Sequence, residues 1–342
     1  MKRFAAFAGV AVLSASAAAQ SSLAVYGVVD VGVRYVDNAD SHVLSLASNG
    51  NNTSRLGFRG LEDLGGGMRA GFQLESGLNP DTGSQSDAAR LFNRRSTVSL
   101  FSGLGELKIG RDYTITYLGY EDYDLWSDIG LSSVAKFDSS LGTARDTGVR
   151  SDNQVVYLTP GGLGGFYASA EAAPGEGVVG KKYVAGRTGY ASGPLDVSVS
   201  YGQTWVAPVG GSDLFKTFNV GASYDFGPAK VSGYYTQSKF ASLEVQNYYI
   251  GAQVPMGPGL WRASYLHSNL SGTTATQVST DPNDASQFAF GYLYKLSKRT
   301  AIYSNVVSIS NKGASAIAVD KNPTPIGGRG SLGFDLGVRH SF

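Results

Sequence analysis

Hydrophobic and polar positions alternate along the last eleven residues of the chain, 332–342. In an extended strand, successive side chains point to opposite faces. One face would carry Leu332, Phe334, Leu336, Val338, His340 and Phe342, and the other Gly333, Asp335, Gly337, Arg339 and Ser341. A strand between lipid and a water-filled lumen requires one apolar and one polar face. The segment therefore predicts a strand of an outer-membrane β-barrel.

The same alternation recurs along the chain and predicts sixteen strands in all. They cover 23–35, 55–59, 68–75, 91–101, 105–111, 152–159, 164–172, 183–192, 195–204, 215–226, 229–238, 243–254, 259–269, 286–296, 300–310 and 331–342. Bacterial single-chain barrels have an even number of strands, and about 20 residues per strand and connection suits tilted crossings of about 9–11 residues. The predicted fold is all-β: a single sixteen-stranded antiparallel transmembrane β-barrel domain over 20–342.

Short and long connections alternate between these segments. Tight links occur at 63–67, 193–194, 227–228, 255–258 and 297–299, and longer polar stretches at 37–53, 79–90, 112–151, 205–214, 270–285 and 311–330. Barrels of this kind place short turns on the periplasmic side and long loops outside the cell. We therefore expect the long stretches at the extracellular rim.

The N-terminus has the layout of a secretory signal. Lys2 and Arg3 precede an apolar run over 4–13 and the small residues of 17–19. This pattern predicts a cleaved signal peptide over 1–19, with cleavage before residue 20 or one or two residues later. The chain has no cysteine, which suits an exported protein that crosses an oxidising compartment. Its formal net charge of +1 argues against nucleic acid as a partner.

Seven motifs resemble the general porins of Gram-negative bacteria, particularly the neisserial and β-proteobacterial type. They are Tyr26–Gly32, Ser54–Gly60, Glu62–Gly67, Phe72–Gly77, Leu91–Arg94, Ile109–Arg111 and Gly337–Phe342. The resemblance implies a homotrimer of barrels, in which the third extracellular loop folds inward and its acids face arginines on the wall. It also implies that Phe342 belongs to the signal read by the outer-membrane assembly machinery.

Alternation selects candidate residues for the wall of the pore constriction. Arg55 lies opposite Leu56 and Phe58 and so faces inward, because a lipid-facing arginine near the membrane midplane would cost about 2–4 kcal/mol. Arg59 shares this face but lies nearer the periplasmic turn. Glu75 faces the lumen by the same alternation.

Further wall candidates come from the resemblance. At the start of the next strand, alternation favours Arg95, whereas the motif match favours Arg94, so both remain candidates. Arg111 matches the family's arginine where the third loop begins. Arg150 resembles the family's arginine just before the sixth strand.

The third loop, 112–151, is long enough to be functional or disordered. Its many aromatic residues favour an ordered loop that packs inward. The acids expected to face the wall are Glu121, Asp122, Asp124 and Asp128. The family's Pro-Glu-Phe-Gly-like tip is replaced here by the segment 123–130, so the acids that reach the constriction stay undecided at this point.

These features predict a passive, water-filled diffusion channel in the outer membrane for small hydrophilic solutes and ions. We expect a modest anion preference, because the wall arginines outnumber the effective loop acids. The expected partners are outer-membrane lipid and lipopolysaccharide, two further copies of the chain, the assembly machinery and the permeating solutes. The alternatives are a substrate-specific channel of the same fold and a barrel enzyme.

Catalysis has little support in the sequence. His42, His267 and His340 lie in a loop, late in a strand and near the terminus. Ser268 would point away from the adjacent His267 on a strand, although a distant serine could still reach that histidine. No Cys/His metal spacing and no phosphate-binding glycine motif is present. The sequence therefore predicts neither an enzyme nor a cofactor or metal site.

Overall fold

The computed structural model describes residues 22–139, 141–274 and 276–342, and the expected signal over 1–19 lies outside these ranges. The described strands are β1 Ser22–Asp37, β2 His42–Ser48, β3 Arg55–Gly65, β4 Met68–Asn79, β5 Ser84–Gln85, β6 Arg95–Ser102, β7 Gly105–Tyr113, β8 Arg150–Leu158, β9 Phe166–Ala173, β10 Tyr183–Ser192, β11 Leu195–Val209, β12 Ser212–Asp225, β13 Lys230–Phe240, β14 Leu243–Met256, β15 Gly259–Gly272, β16 Ala285–Lys295, β17 Thr300–Asn311 and β18 Ser331–Ser341. One α-helix, α1 (Ile115–Glu121), and the 3₁₀ helices Gly130–Ser132, Ala135–Phe137 and Gly175–Gly177 complete the described elements. None of these helices is long and apolar enough to cross a membrane.

The described strands close into one antiparallel barrel with sixteen wall positions, which confirms the predicted fold. β18 pairs with β1 and closes the wall. β2 and β3 share one position, because β2 pairs with the second half of β1 and β3 with its first half. β5 is a two-residue ribbon that pairs with β4 in a separate sheet.

The last strand shows how the alternating sequence builds the wall. Leu336 and Val338 on β18 are 53% and 50% exposed on the outer face, whereas Asp335 between Phe334 and Leu336 is only 2% exposed and faces inward. Lipid is a favourable surrounding for the outer set, and the inner set contacts polar groups of the lumen. The same two-sided pattern recurs on the long strands from β11 to β18.

The two rims of the barrel carry connections of different length. Here the turn rim is the rim with the short β3–β4, β10–β11 and β14–β15 turns, and the loop rim is the opposite one, with the long connection between β7 and β8. Two expected long loops are wrong. Within 37–53, β2 occupies 42–48, and 205–214 is a tight hairpin in which Val209 pairs with Ser212. Near the rim a strand is no longer required to present an apolar outer face, so alternation fades while pairing continues.

The connection between β7 and β8, residues 114–149, is called the third loop below. It folds into the barrel. Thr114 caps α1, its hydroxyl accepting a hydrogen bond from the Tyr117 N–H. A core cluster forms where Tyr123, Trp126 and Phe137 of the loop pack against the wall from β13 to β17. The loop therefore fills one side of the lumen and leaves the side of β1, β3, β4, β6 and β8 open.

Candidate pore constriction

An open space of about 600 Å³ lies between the third loop and the opposite wall. Its charged lining residues are Arg55, Arg59, Glu75, Arg94, Arg95, Glu121, Asp122, Asp128 and Arg150. The five arginines belong to the wall, and three of the four acids belong to the third loop. The lumen at this level therefore has a basic side and an acidic side.

Glu75 is buried behind two of the arginines. Its Oε1 accepts a hydrogen bond of 2.6 Å from Nε of Arg94, and its Oε2 lies 3.4 Å from Nε of Arg55. The Tyr26 hydroxyl also donates to Oε2 at 3.0 Å. Arg94 in turn donates to the Tyr113 hydroxyl at 2.8 Å. Glu75 thus fixes both guanidinium groups and neutralises part of their charge.

Two further arginines stack against the Tyr113 ring, with guanidinium carbons 5.3 Å (Arg95) and 4.2 Å (Arg150) from its centroid. Arg95 also pairs with Asp112 at 3.1 Å. Arg150 donates to the backbone carbonyl of Arg94 at 2.9 Å and has no acidic partner among the described residues. Arg94 and Arg95 both line the space, because Arg94 precedes the first residue of β6 and does not follow the strand's alternation.

The basic wall extends toward both rims. On the turn-rim side, Arg59 is exposed and lies over the Tyr26 ring at 5.4 Å. On the loop-rim side, residues 49–54 bend into the lumen, so that Asn52 borders the space. Asp30 holds this bend, accepting backbone N–H groups of residues 50–52 at distances of 3.2, 3.0 and 2.6 Å.

Arg111, expected on the constriction wall, lies outside this lining. It pairs with Asp152 and borders a smaller cleft of about 180 Å³ toward the loop rim. The register between β7 and β8 shifts between Gly110 and Asp112. The extra residue lies in β8, and β7 keeps its alternation, so Arg111 shares the outward face of Leu107 and Ile109, which explains its separate position.

Glu121 at the end of α1 is the loop acid that stays open to the space. Its carboxylate makes no hydrogen bond or ion pair within the described part of the chain, and it faces the wall across the lumen. Partial burial, with the nearby carboxylates of Asp122, Asp124 and Asp128, raises the pKa of Glu121 to about 7. The charge of this side chain therefore changes in the neutral pH range.

The other three loop acids have partners. Asp122 pairs with Arg187 of β10, on the far side of the barrel. Asp124 is buried and accepts the N–H groups of Trp126 and Asp128, at 3.1 and 2.7 Å. Asp128 borders the space, but its Oδ1 accepts hydrogen bonds within the loop from residues 133 and 135. These three carboxylates therefore stabilise the third loop and its contact with β10, and they do not pair with the arginines on the opposite side of the space.

The third loop is anchored on β15 by contacts that the sequence interpretation missed. Nε1 of Trp126 donates to Ser264 Oγ at 2.8 Å, and the Arg262 guanidinium lies 4.3 Å from the Trp126 ring. Arg262 also donates to the Leu125 carbonyl at 3.1 Å. A signal was present, because alternation from Trp261 places Arg262 inward. Its loop partner could not be identified without the loop conformation.

His267 contacts a serine on a neighbouring strand. Its Nδ1 lies 2.9 Å from Oγ of Ser286, and the Tyr265 hydroxyl donates to the same oxygen at 3.1 Å. Alternation with Tyr265, which is exposed, places this group on the outer face of the barrel. No acid among the described residues hydrogen-bonds to His267. The group lacks the third member that a Ser-His pair uses to orient its base.

Comparison with known proteins agrees with this geometry. A family model described as "Gram-negative porin" matches residues 5–314. The chain is 37% identical to Outer membrane porin protein 32 of Delftia acidovorans, over 97% of this chain and 98% of that protein. It is 30% identical to an outer membrane porin protein of Bordetella pertussis over the full length of both. The solved "Anion-selective porin from Comamonas acidovorans" superposes with a TM-score of 0.84 at 35% identity, covering 94% of this chain and 100% of that one.

Proposed function

The chain belongs to the Gram-negative porin family, and we propose that its lumen is an outer-membrane diffusion channel with a modest preference for anions. Family membership and the closed barrel confirm the predicted porin function and outer-membrane location. The anion preference is supported by the similarity to a solved porin described as anion-selective.

The observation that carries the proposal is the excess of basic over acidic side chains around the 600 Å³ space, five arginines against four acids. Among the described residues, Arg59 and Arg150 line it without an acidic partner. Glu121 and Asp128 are the lining acids without a basic partner, although Asp128 accepts hydrogen bonds within the loop, whereas Glu75 and Asp122 are paired with arginines. An approaching ion therefore meets more positive than negative charge, and partial protonation of Glu121 near neutral pH adds to the difference.

Opposed charges across a narrow lumen have a physical consequence for permeation. The low-dielectric barrel wall and the surrounding lipid focus the field of the wall charges into the water-filled space. Basic groups on one side and Glu121 on the other create a transverse field. Such a field orders water, so small polar solutes enter more readily than apolar solutes of the same size.

Reversal potentials across a planar bilayer under a KCl gradient test the proposal. Purified, refolded protein should give discrete conductance steps, and the potential should have the sign of chloride preference. A clear potassium preference would refute the assignment of the open arginines as the dominant charges. Absence of conductance would refute the channel itself.

The assembly of the channel is a further part of the proposal. We infer from the family resemblance that three chains form a homotrimer and contact outer-membrane lipid and lipopolysaccharide. Phe342 exchanges backbone hydrogen bonds with Gly27, both at 3.1 Å, and its ring lies over that glycine. Phe342 is 49% exposed, which leaves it accessible to the assembly machinery. Deletion of Phe342 should lower the yield of folded trimer in membranes, and unchanged yield would refute this role.

A further inference from the structure

Three exposed lysines lie on the outer face of the barrel near the loop rim. Lys182 precedes β10, Lys216 lies on β12 and Lys239 on β13. Lys216 and Lys239 are direct cross-strand partners in the β12–β13 ladder. Directly opposed side chains in a ladder have Cβ atoms about 4.5–5.5 Å apart, and like charges at that spacing repel each other. The structure thus places two lysine side chains directly opposite each other on an outward surface.

Little negative charge compensates these lysines. Glu244 of β14 pairs with Lys239 at 2.9 Å. Within residues 22–139, 141–274 and 276–342, neither Lys182 nor Lys216 forms an ion pair. Nζ of Lys182 instead lies 4.4 Å from the centroid of the Trp205 ring. An anion placed between these side chains would relieve the repulsion.

The outer surface becomes apolar directly below the lysines, toward the centre of the membrane. Phe218 is the next residue after Lys216 on the same face of β12, one row nearer the membrane centre. The following row holds Val220 opposite Tyr235. Each row is two residues deep, about 7 Å along a strand. Val220 is 43% exposed. Positive charge therefore lies within about two rows of the apolar band that faces lipid chains.

An open groove adjoins the lysines on the side of the loop rim. It measures about 930 Å³ and lies between the tips of the β11–β12 and β13–β14 hairpins. Lys216, Leu214 and Leu243 border it. The groove leaves room for a bulky polar headgroup beside the lysines, above the level of the lipid chains.

We propose that Lys182, Lys216 and Lys239 bind the phosphate groups of a phosphorylated glycolipid of the outer leaflet, whose acyl chains lie along the apolar rows below. The inference rests on the outer-membrane location given by the proposed function. A free phosphate would share the charge contact but would gain nothing from the apolar rows. The site faces away from the lumen, so it is separate from the path of permeating solutes.

Lipid binding by the refolded full-length protein tests the site. Diphosphorylated lipid A is titrated in EDTA, so that divalent cations cannot bridge it to Glu244, and bound lipid is counted by native mass spectrometry. The double variant K216Q/K239Q should weaken binding by more than ten-fold, on the basis of roughly five-fold per lysine near a lipid surface. The matched control, K295Q/K298Q, removes two exposed lysines at the turn rim and should bind as the parent does.

Three comparison ligands separate the sources of the contact. Dephosphorylated lipid A should bind weakly to the parent protein, and inorganic phosphate should neither bind tightly nor displace diphosphorylated lipid A. Phosphatidylglycerol, which has one phosphate and no sugar pair, should bind less tightly than diphosphorylated lipid A. Equal binding of the dephosphorylated form, equal loss in the turn-rim control, or full binding by K216Q/K239Q would overturn the assignment.

Channel recordings of the same variants keep this inference distinct from the proposed function. K216Q/K239Q should retain the parent conductance and ion preference, because neither lysine lines the 600 Å³ space. Normal conductance with lost lipid binding supports the site. If the parent forms no channel but binds lipid A through these lysines, the channel proposal fails while the lipid site stands.

Discussion

Nε of Arg94 donates a hydrogen bond of 2.6 Å to Oε1 of Glu75, within the wall of the lumen. Glu75 is 5% exposed and Arg94 is 8% exposed, so neither partner can easily exchange this contact for water. The pair has two effects. It orients Arg94, and it offsets part of the positive charge that a permeating ion meets.

Replacement of Glu75 by Gln should therefore lower the stability of the barrel and change its ion selectivity. Loss of the carboxylate leaves the buried Arg94 guanidinium without its ionic partner, which costs roughly 1–3 kcal/mol of unfolding free energy. The anion-to-cation permeability ratio should rise, since less wall charge is neutralised. Urea unfolding of the refolded barrel and reversal potentials measure the two effects. Asp40→Asn is the control, because Asp40 pairs with Arg329 at an exposed surface where ion pairs contribute little.

Arg59 should contribute to anion preference without a structural role. Its side chain is exposed to the lumen, and it makes no ion pair within the described residues. A unit charge about 4 Å from an ion in water is worth about 1 kcal/mol, so Arg59→Gln should lower the permeability ratio several-fold at low salt. The effect should shrink at 1 M salt, where the screening length is about 3 Å. Arg329→Gln, the same change in an exposed loop, should leave the ratio unchanged; an equal effect of both variants would contradict a local role.

The pH dependence of selectivity should follow Glu121. Its pKa of about 7 is raised above that of an ordinary glutamate, so the carboxylate is charged above neutral pH and protonated below it. Anion preference should therefore increase as the pH falls from 8 to 5.5, while the arginines stay charged throughout. In Glu121→Gln the preference should be high and flat over that range. A parental pH profile that persists in this variant would assign the titration to another group.

Trp126 should hold the third loop against the wall. Its ring is 3% exposed and its Nε1 hydrogen-bonds to Ser264. Trp126→Ala should destabilise the packed loop by about 3–5 kcal/mol, the usual loss for a buried aromatic residue. Larger and noisier single-channel conductance is the expected readout.

The control for this change is Trp261→Ala, on the same strand as Ser264 but with its ring on the outer face near Phe290 and Tyr292. It should reduce stability without altering conductance noise. Quiet, parental conductance in Trp126→Ala would show that the loop stays in place without this anchor.

The wall of the barrel could be predicted from local sequence, because lipid outside and water inside impose the alternation on each strand separately. Arg55 was placed in the lumen from its neighbours Leu56 and Phe58 alone, and it borders the 600 Å³ space. Alternation failed where that two-sided environment ends, at the long hairpin tip near Val209, whereas the wall position expected for Arg111 came from the motif match and not from alternation.

The third loop could be predicted only in outline. Its length and aromatic content indicated inward packing, and the cluster of Tyr123, Trp126 and Phe137 has that arrangement. Which acid stays open depended on the folded conformation of the loop and on a partner outside it. Arg187 pairs with Asp122 across the barrel, and backbone N–H groups surround Asp124, so Glu121 is left facing the arginines.

The sequence by itself thus determined the sixteen-strand wall and its polarity, since both follow from a period-two pattern read along single strands. The same pattern gave part of the basic face of the lumen, at Arg55, Arg59 and Arg95, and the motif resemblance gave Arg94 and Arg150. The tertiary structure alone decided which charges remain unpaired, because pairing depends on where the third loop packs and on arginines contributed by the distant strands β10 and β15. A loop has no environment that repeats from residue to residue, so no local pattern encodes the direction of its side chains.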